Sequence, residues 1–185
     1  THIHVVDGGF QETSEKIIDH LTQYYNAPQT IDAIVVSHPD GDHTGGLRKL
    51  FEKYTIKELW MLRPWVYVDE LIERFYRFQS KENLAKRLKE IYPNLKALED
   101  LANEYEVKIS EPFQGSKIGP FTVLAPSKET YLNLVVESEK TPESQKISVN
   151  SFSSFGSRLI ERAISFIRSL WGEESFPNED TSHEN

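Results

Sequence analysis

The chain has 185 residues, material for one domain, and its 38% hydrophobic content suffices for a lean core. A formal net charge of −8 argues against a broad nucleic-acid-binding surface, although a metal site can still neutralise the one phosphate it attacks. The lack of cysteine excludes disulfides and thiolate metal ligands and fits a reducing, cytoplasmic setting, and no apolar run approaches the ~18–20 residues of a membrane span.

Residues 3–6 read as a short strand, and His2 and His4 alternate along it as exposed or satisfied edge residues. Residues 12–25 place Ile17, Ile18, Leu21 and Tyr25 on one face, which predicts an amphipathic helix stopped near Pro28, with His20 solvated. A buried strand is expected at 31–36, a helix at 44–54 carrying Leu47, Leu50, Phe51 and Tyr54, and a third strand at 56–62. That βαβαβ order predicts parallel pairing with right-handed crossovers.

Residues 66–105 change character and predict about three helical segments, broken near Ser80 and Pro93. They read as a helical insertion beside the site, shaping a substrate cleft or a partner surface, or else only completing the core. Strands are expected at 107–110 and 121–124, with turns at Gly115 and Gly119-Pro120, and a short helix at 128–136. The organisation expected is a domain portion at 1–136 with its insertion at 66–105, then a linker or mobile loop at 137–154. An amphipathic helix follows at 155–171, packing on its own sheet or on a protein partner, and then an acidic irregular tail at 172–185.

Between the second strand and the next helix lies Ser37-His38-Pro39-Asp40-Gly41-Asp42-His43-Thr44-Gly45-Gly46, with two imidazoles and two carboxylates within six residues. Both side-chain types bind divalent cations, and a short loop lowers the entropy cost of gathering them. On the residues alone, the run is either a metal-binding loop or a solvated turn whose aspartates cap the following helix. The preceding β-branched strand favours the former, because an α/β sheet carries catalytic loops at the C-terminal ends of its strands. Arg63-Pro64-Trp65 follows the third strand on the same side. Arg63 there is either a binder of a substrate phosphate or carboxylate or part of the packing around Trp65.

The His38-x-Asp40-x-Asp42-His43 run with Gly45-Gly46 resembles the signature of the metallo-β-lactamase superfamily. Val5-Val6-Asp7-Gly8-Gly9 resembles the strand-then-Asp-Gly-Gly element that precedes that signature. The form with Asp in the second ligand position resembles the metallo-β-lactamase-like domains of bacterial competence (DNA-uptake) proteins. The likeness covers residues 3–54 well and extends weakly to 117–126. It implies an α/β fold, the αββα sandwich, with this chain holding its N-terminal half, and metal-dependent hydrolysis. By the resemblance, His38 and Asp40 bind a first metal and Asp42 and His43 a second, Asp42 also orients the attacking water, and Asp7 supports the loop. The cofactor implied is one or two divalent ions, zinc by family habit, with Mn2+ or Mg2+ admitted by the oxygen-rich ligand set. The family draws further ligands from later in the chain, yet after His43 the only histidine is His183, so the sequence reads as a portion of a longer protein.

Two function classes follow. One is a hydrolase whose metal-activated hydroxide attacks an ester or phosphodiester, tilted toward nucleic acid by the competence likeness and toward bacterial anti-phage defence by similar soluble domains. The other is a non-catalytic scaffold or sensor module in a larger assembly.

Overall fold

Apolar runs of three to six residues, set between turn formers, become one parallel sheet. In the computed structural model, which describes residues 2–138, Lys140 and Thr141, β1 (His4–Val6) is followed by α1 (Ser14–Tyr24) and β2 (Thr30–Val35). The short α2 (Gly41–Thr44), α3 (Arg48–Lys53) and β3 (Thr55–Trp60) come next. The crossover out of β3 holds α4 (Val68–Leu71), α5 (Lys81–Ile91) and α6 (Pro93–Glu104) before β4 (Lys108–Ser110). A hairpin of β5 (Lys117–Ile118) and β6 (Phe121–Thr122) precedes α7 (Lys128–Glu137). The linker expected at 137–154 lies outside the described residues except for 137, 138, 140 and 141, and the helix at 155–171 and the tail at 172–185 lie outside them altogether.

The four strands stand in the order β1-β2-β3-β4 and every neighbouring pair is parallel. With right-handed crossovers that sequential order sends each connection over the same face. Accordingly α1 touches α3 and α3 touches α6. The row Val5–Ile34–Leu59–Ile109 runs in register across all four strands, and it clusters with Ile18 and Leu21 of α1, Leu50 and Phe51 of α3 and Leu98 of α6. The adjacent row His4–Ala33–Glu58–Lys108 belongs to the other face, since side chains alternate along a strand. There Glu58 accepts hydrogen bonds from Trp60 Nε1 at 2.9 Å and Lys108 Nζ at 3.1 Å, and the β5–β6 hairpin meets the sheet by packing Phe121 against the His4 ring. A parallel sheet with helices on it is the α/β class expected.

Two elements differ from expectation. The helix expected at 44–54 is broken into α2, a 3-10 turn at Gly45–Leu47, and α3. Its periodicity was a true signal of burial, because Leu47, Leu50, Phe51 and Tyr54 are all buried. The strand expected at 121–124 shortens to Phe121–Thr122 and pairs antiparallel with β5 in a separate two-stranded sheet.

The helical stretch breaks where its sequence says. Ser80 caps α5, its hydroxyl accepting from the Asn83 backbone, and Pro93 opens α6 in the first turn, where an N–H would have no intrahelical acceptor. Trp65, Leu71, Phe75, Leu84 and Leu88 join the same core cluster as the sheet.

At the lower end of the strands Asp32 ties β1 to β3 across β2. Its carboxylate accepts from the Ile3 backbone at 2.8 Å and from Lys57 Nζ at 2.6 Å. The Lys57 hydrogen bond, with that from Ile3, holds its pKa at about 2. A depressed carboxyl stabilises the fold fully above its unfolded value of about 4 and loses that contribution as pH falls through the folded value. The urea midpoint of the wild-type chain should therefore drop between about pH 4 and pH 2 by more than that of Asp32→Asn, whose curve loses this component.

Candidate metal centre

Asp7 is the residue about which the site is arranged. It follows β1 directly, extends the ladder by donating its N–H to Val35 O at 2.9 Å, and adopts φ +57°, a left-handed conformation that aspartate tolerates better than most residues. That turn sends its carboxylate over the C-terminal end of β2. Oδ1 accepts the Ser37 N–H at 2.8 Å, and Oδ2 accepts the Ser37 hydroxyl and lies 2.9 Å from His43 Nδ1.

These bonds determine both imidazole tautomers. A carboxylate has no proton to give, so the hydrogen between Asp7 and His43 sits on His43 Nδ1. The Ser37 hydroxyl spends its single proton on Asp7, so in its 2.9 Å contact with His38 Nδ1 it is the acceptor and that nitrogen is the donor. In the neutral form of each ring this leaves the lone pair on Nε2. A hydrogen bond at one ring nitrogen commonly prepares the other for a metal. The rings lie with centroids 3.6 Å apart.

The helix beginning at Gly41 carries Asp42 and His43 on its first turn, with Asp40 immediately before it. Asp40 caps through its carbonyl, which accepts from the His43 and Thr44 N–H groups and the Thr44 hydroxyl. Its carboxylate makes no capping bond. Lys140 Nζ contacts it instead, and that ammonium holds the Asp40 carboxyl below its usual range. Asp42 Oδ2 lies 3.6 Å from His43 Nε2. Burial works to raise the Asp7 carboxyl, but the Ser37 and His43 hydrogen bonds carry it below the ordinary value.

Two groups of donor atoms each lie within 4.8 Å of one another: Asp7, His38 and His43 in one, and His38, Asp40 and Asp42 in the other. All four motif residues are thus brought together with Asp7, and His38 belongs to both groups. Two imidazoles among carboxylate oxygens suit a divalent cation, so the donor set fits the group the resemblance implied.

The glycines explain how the loop is seated. Gly8 N–H donates to His43 O at 2.6 Å and Gly46 N–H to Gly9 O at 3.1 Å, so the two loops dock backbone to backbone. A Cβ on Gly46 would stand 2.1 Å from Gly8 O, and one on Gly8 would stand 2.6 Å from Leu47 N. Asn94, at the start of α6, braces the other side. It donates to Pro39 O at 3.1 Å and accepts from Arg48 at 3.0 Å. Sequence reasoning missed Asn94, which reads locally as an ordinary helix-start residue.

The family model of the metallo-beta-lactamase superfamily matches residues 3–116. The chain belongs to the metallo-beta-lactamase superfamily. No curated protein and no solved structure matches it. The matched segment of this superfamily member contains β1 to β4 and all five residues gathered above. Superfamily members are mostly metal-dependent hydrolases and typically bind divalent metals. No helix among the described residues is long and apolar enough to cross a membrane.

The other sequence candidates fall elsewhere. Arg63 was expected as either an open cation for a substrate anion or part of the packing. In the fold its guanidinium is 16% exposed, donates to Glu99 Oε1 at 2.9 Å and lies 3.8 Å from Glu111. Trp65 Nε1 donates to the same Glu99 oxygen at 3.0 Å, and Lys89 lies 3.9 Å from its other oxygen. The carboxylates of its own chain take up the charge offered to a substrate, which corrects the substrate-binding expectation. His2 lies 3.9 Å from Asp32, His4 packs on Phe121, and His20 sits beside Tyr24 and Tyr25.

Two stability predictions follow from these contacts. Arg63→Ala takes the nearest cation from the buried Glu99 carboxylate, leaving it Trp65 and the more distant Lys89, and should cost about 1–3 kcal/mol of unfolding free energy, read by urea denaturation. Gly46→Ala must push the two loops apart and should cost about 1–3 kcal/mol in the same assay.

Proposed function

We propose that this chain carries the metal centre of a metal-dependent hydrolase acting on an ester or phosphodiester. The observation that carries this reading is the Asp7–Ser37–His38–His43 network, which orients two imidazoles, with His38 grouped with the Asp40 and Asp42 carboxylates and His43 Nε2 3.6 Å from Asp42. A half-exposed network that orients two imidazoles toward the same loop has a direct use in ligation.

In this reading His38, Asp40, Asp42 and His43 hold one or two divalent ions, with zinc the first choice and Mn2+ or Mg2+ admitted by the carboxylates. A bound ion supplies Lewis acidity and a water of lowered pKa. Asp7 keeps both rings in the ligating tautomer, and its negative charge makes the His43 nitrogen a better donor. In this reading Asp42, half exposed, orients the attacking water and accepts its proton. The phosphodiester preference, a nucleic-acid substrate and a place in bacterial anti-phage defence are supported by the motif's likeness to competence-type domains alone.

Elemental analysis and hydrolysis assays on the same preparations test the proposal. His38→Ala and Asp42→Ala should each lose bound metal and at least a hundredfold in hydrolysis of a generic phosphodiester or ester, with a melting temperature close to that of the metal-free wild-type chain. Metal retained at wild-type stoichiometry in both variants would refute the ligand assignment. Metal lost in both, from a wild-type protein that hydrolyses neither substrate, would point to the scaffold or sensor role.

A further inference from the structure

A cleft of about 760 Å³ opens against the metal loop, and His38, Pro39 and Asp40 form part of its wall. Its opposite wall comes from the segment after β6 and from α7, beyond the part of the chain that the family model matches. We propose that this cleft seats an apolar arm of the substrate. The hydrolysed compound is then a small ester or phosphodiester bearing one acyl or alkyl group, not a polynucleotide strand. The proposal rests on the hydrolase reading for its reacting bond, but not for its cleft.

Three observations carry it. First, the walls beyond the loop are mostly apolar, with Tyr92 and Leu95 on one side and Leu124 and Leu134 on the other. Leu124 is 81% and Leu134 51% exposed, so two large aliphatic side chains face water at the mouth of a concave surface that ends at candidate metal ligands. Isolated exposed leucines are ordinary, but paired ones lining a cleft offer a surface that gains by being covered.

Second, the cleft is poor in positive charge. Among its described lining residues Lys140 is the one permanent cation, and it is paired with Asp40. A single strand of nucleic acid needs a track of cations for successive phosphates, with exposed aromatic faces for the bases. Here Tyr92 is buried, and Tyr131 packs edge-on against Tyr67 and Phe113.

Third, the far wall is anchored. Ser127 caps α7 through the Thr130 N–H, Lys128 pairs with Glu70, and Tyr131 joins an aromatic trio with Tyr67 and Phe113. These contacts hold α7 at a fixed distance from the loop. The volume falls in the range of small-molecule sites, which are mostly apolar with a few polar groups placed at one end.

The test measures binding and turnover separately on the full chain. Straight-chain carboxylates from butanoate to decanoate are titrated calorimetrically. Affinity should rise by roughly threefold to fourfold per methylene until the cleft is filled, and Leu134→Asn should flatten that slope. The same chain-length dependence should appear in kcat/KM for a matched series of nitrophenyl alkyl esters or phosphodiesters. If carboxylate affinity rises with length while no metal or hydrolysis is found, the hydrolase reading fails and the cleft assignment stands. A carboxylate series flat with length in the wild-type chain overturns the proposal, as does a slope that Leu134→Asn leaves unchanged. So does an oligothymidylate that binds more tightly than decanoate and displaces it.

Discussion

One carboxylate, that of Asp7, orients two histidines more than thirty residues further along the chain. It receives the Ser37 backbone and hydroxyl and the His43 ring, and through Ser37 it sets the His38 ring as well. Everything that places Asp7 therefore places the site. The parallel pairing of β1 with β2 brings their C-terminal ends side by side, and the left-handed turn at Asp7 then directs the carboxylate across the gap. A residue with positive φ costs conformational energy that the surrounding contacts must offset, and here they are the same contacts that organise the imidazoles.

The rest of the fold acts as backing for that arrangement. The Gly8–His43 and Gly46–Gly9 hydrogen bonds lock the two loops from beneath, while Asn94 fixes the Pro39 carbonyl from the side of α6. Farther away, Glu99 of α6 collects Arg63, Trp65 and Lys89, joining the helical crossover to the end of β3. An ion cluster of this kind contributes more to a unique arrangement than to net stability, because desolvation offsets much of its attraction.

How much of this was legible in the sequence depends on how local each signal is. The parallel strands and α1 were readable because apolar spacing is a property of neighbours. The four motif residues were legible as candidates because imidazoles and carboxylates cluster in one short run, and Asp7 because it ends a strand before two glycines. The broken helix at 44–54 was not, since its periodicity reported burial correctly while the break at Gly45–Gly46 comes from a loop more than thirty residues upstream. Arg63 failed for a similar reason. Its partners Glu99 and Glu111 lie 36 and 48 residues further on, and no local pattern announces a long-range ion pair. Asn94 carries no signal of its own beyond a helix start.

In the described sheet β1 is an edge strand of three residues, paired with β2 alone. One of the sheet's two short edge strands thus carries the group on which the site depends. Opening of an edge strand is a low-energy local event compared with loss of the core. Lifting β1 would free both imidazoles to change tautomer while Ile34 and Leu59 stayed packed. By linkage, any cation that binds the assembled ligands also clamps this edge, so occupancy of the site and closure of the sheet rise and fall together.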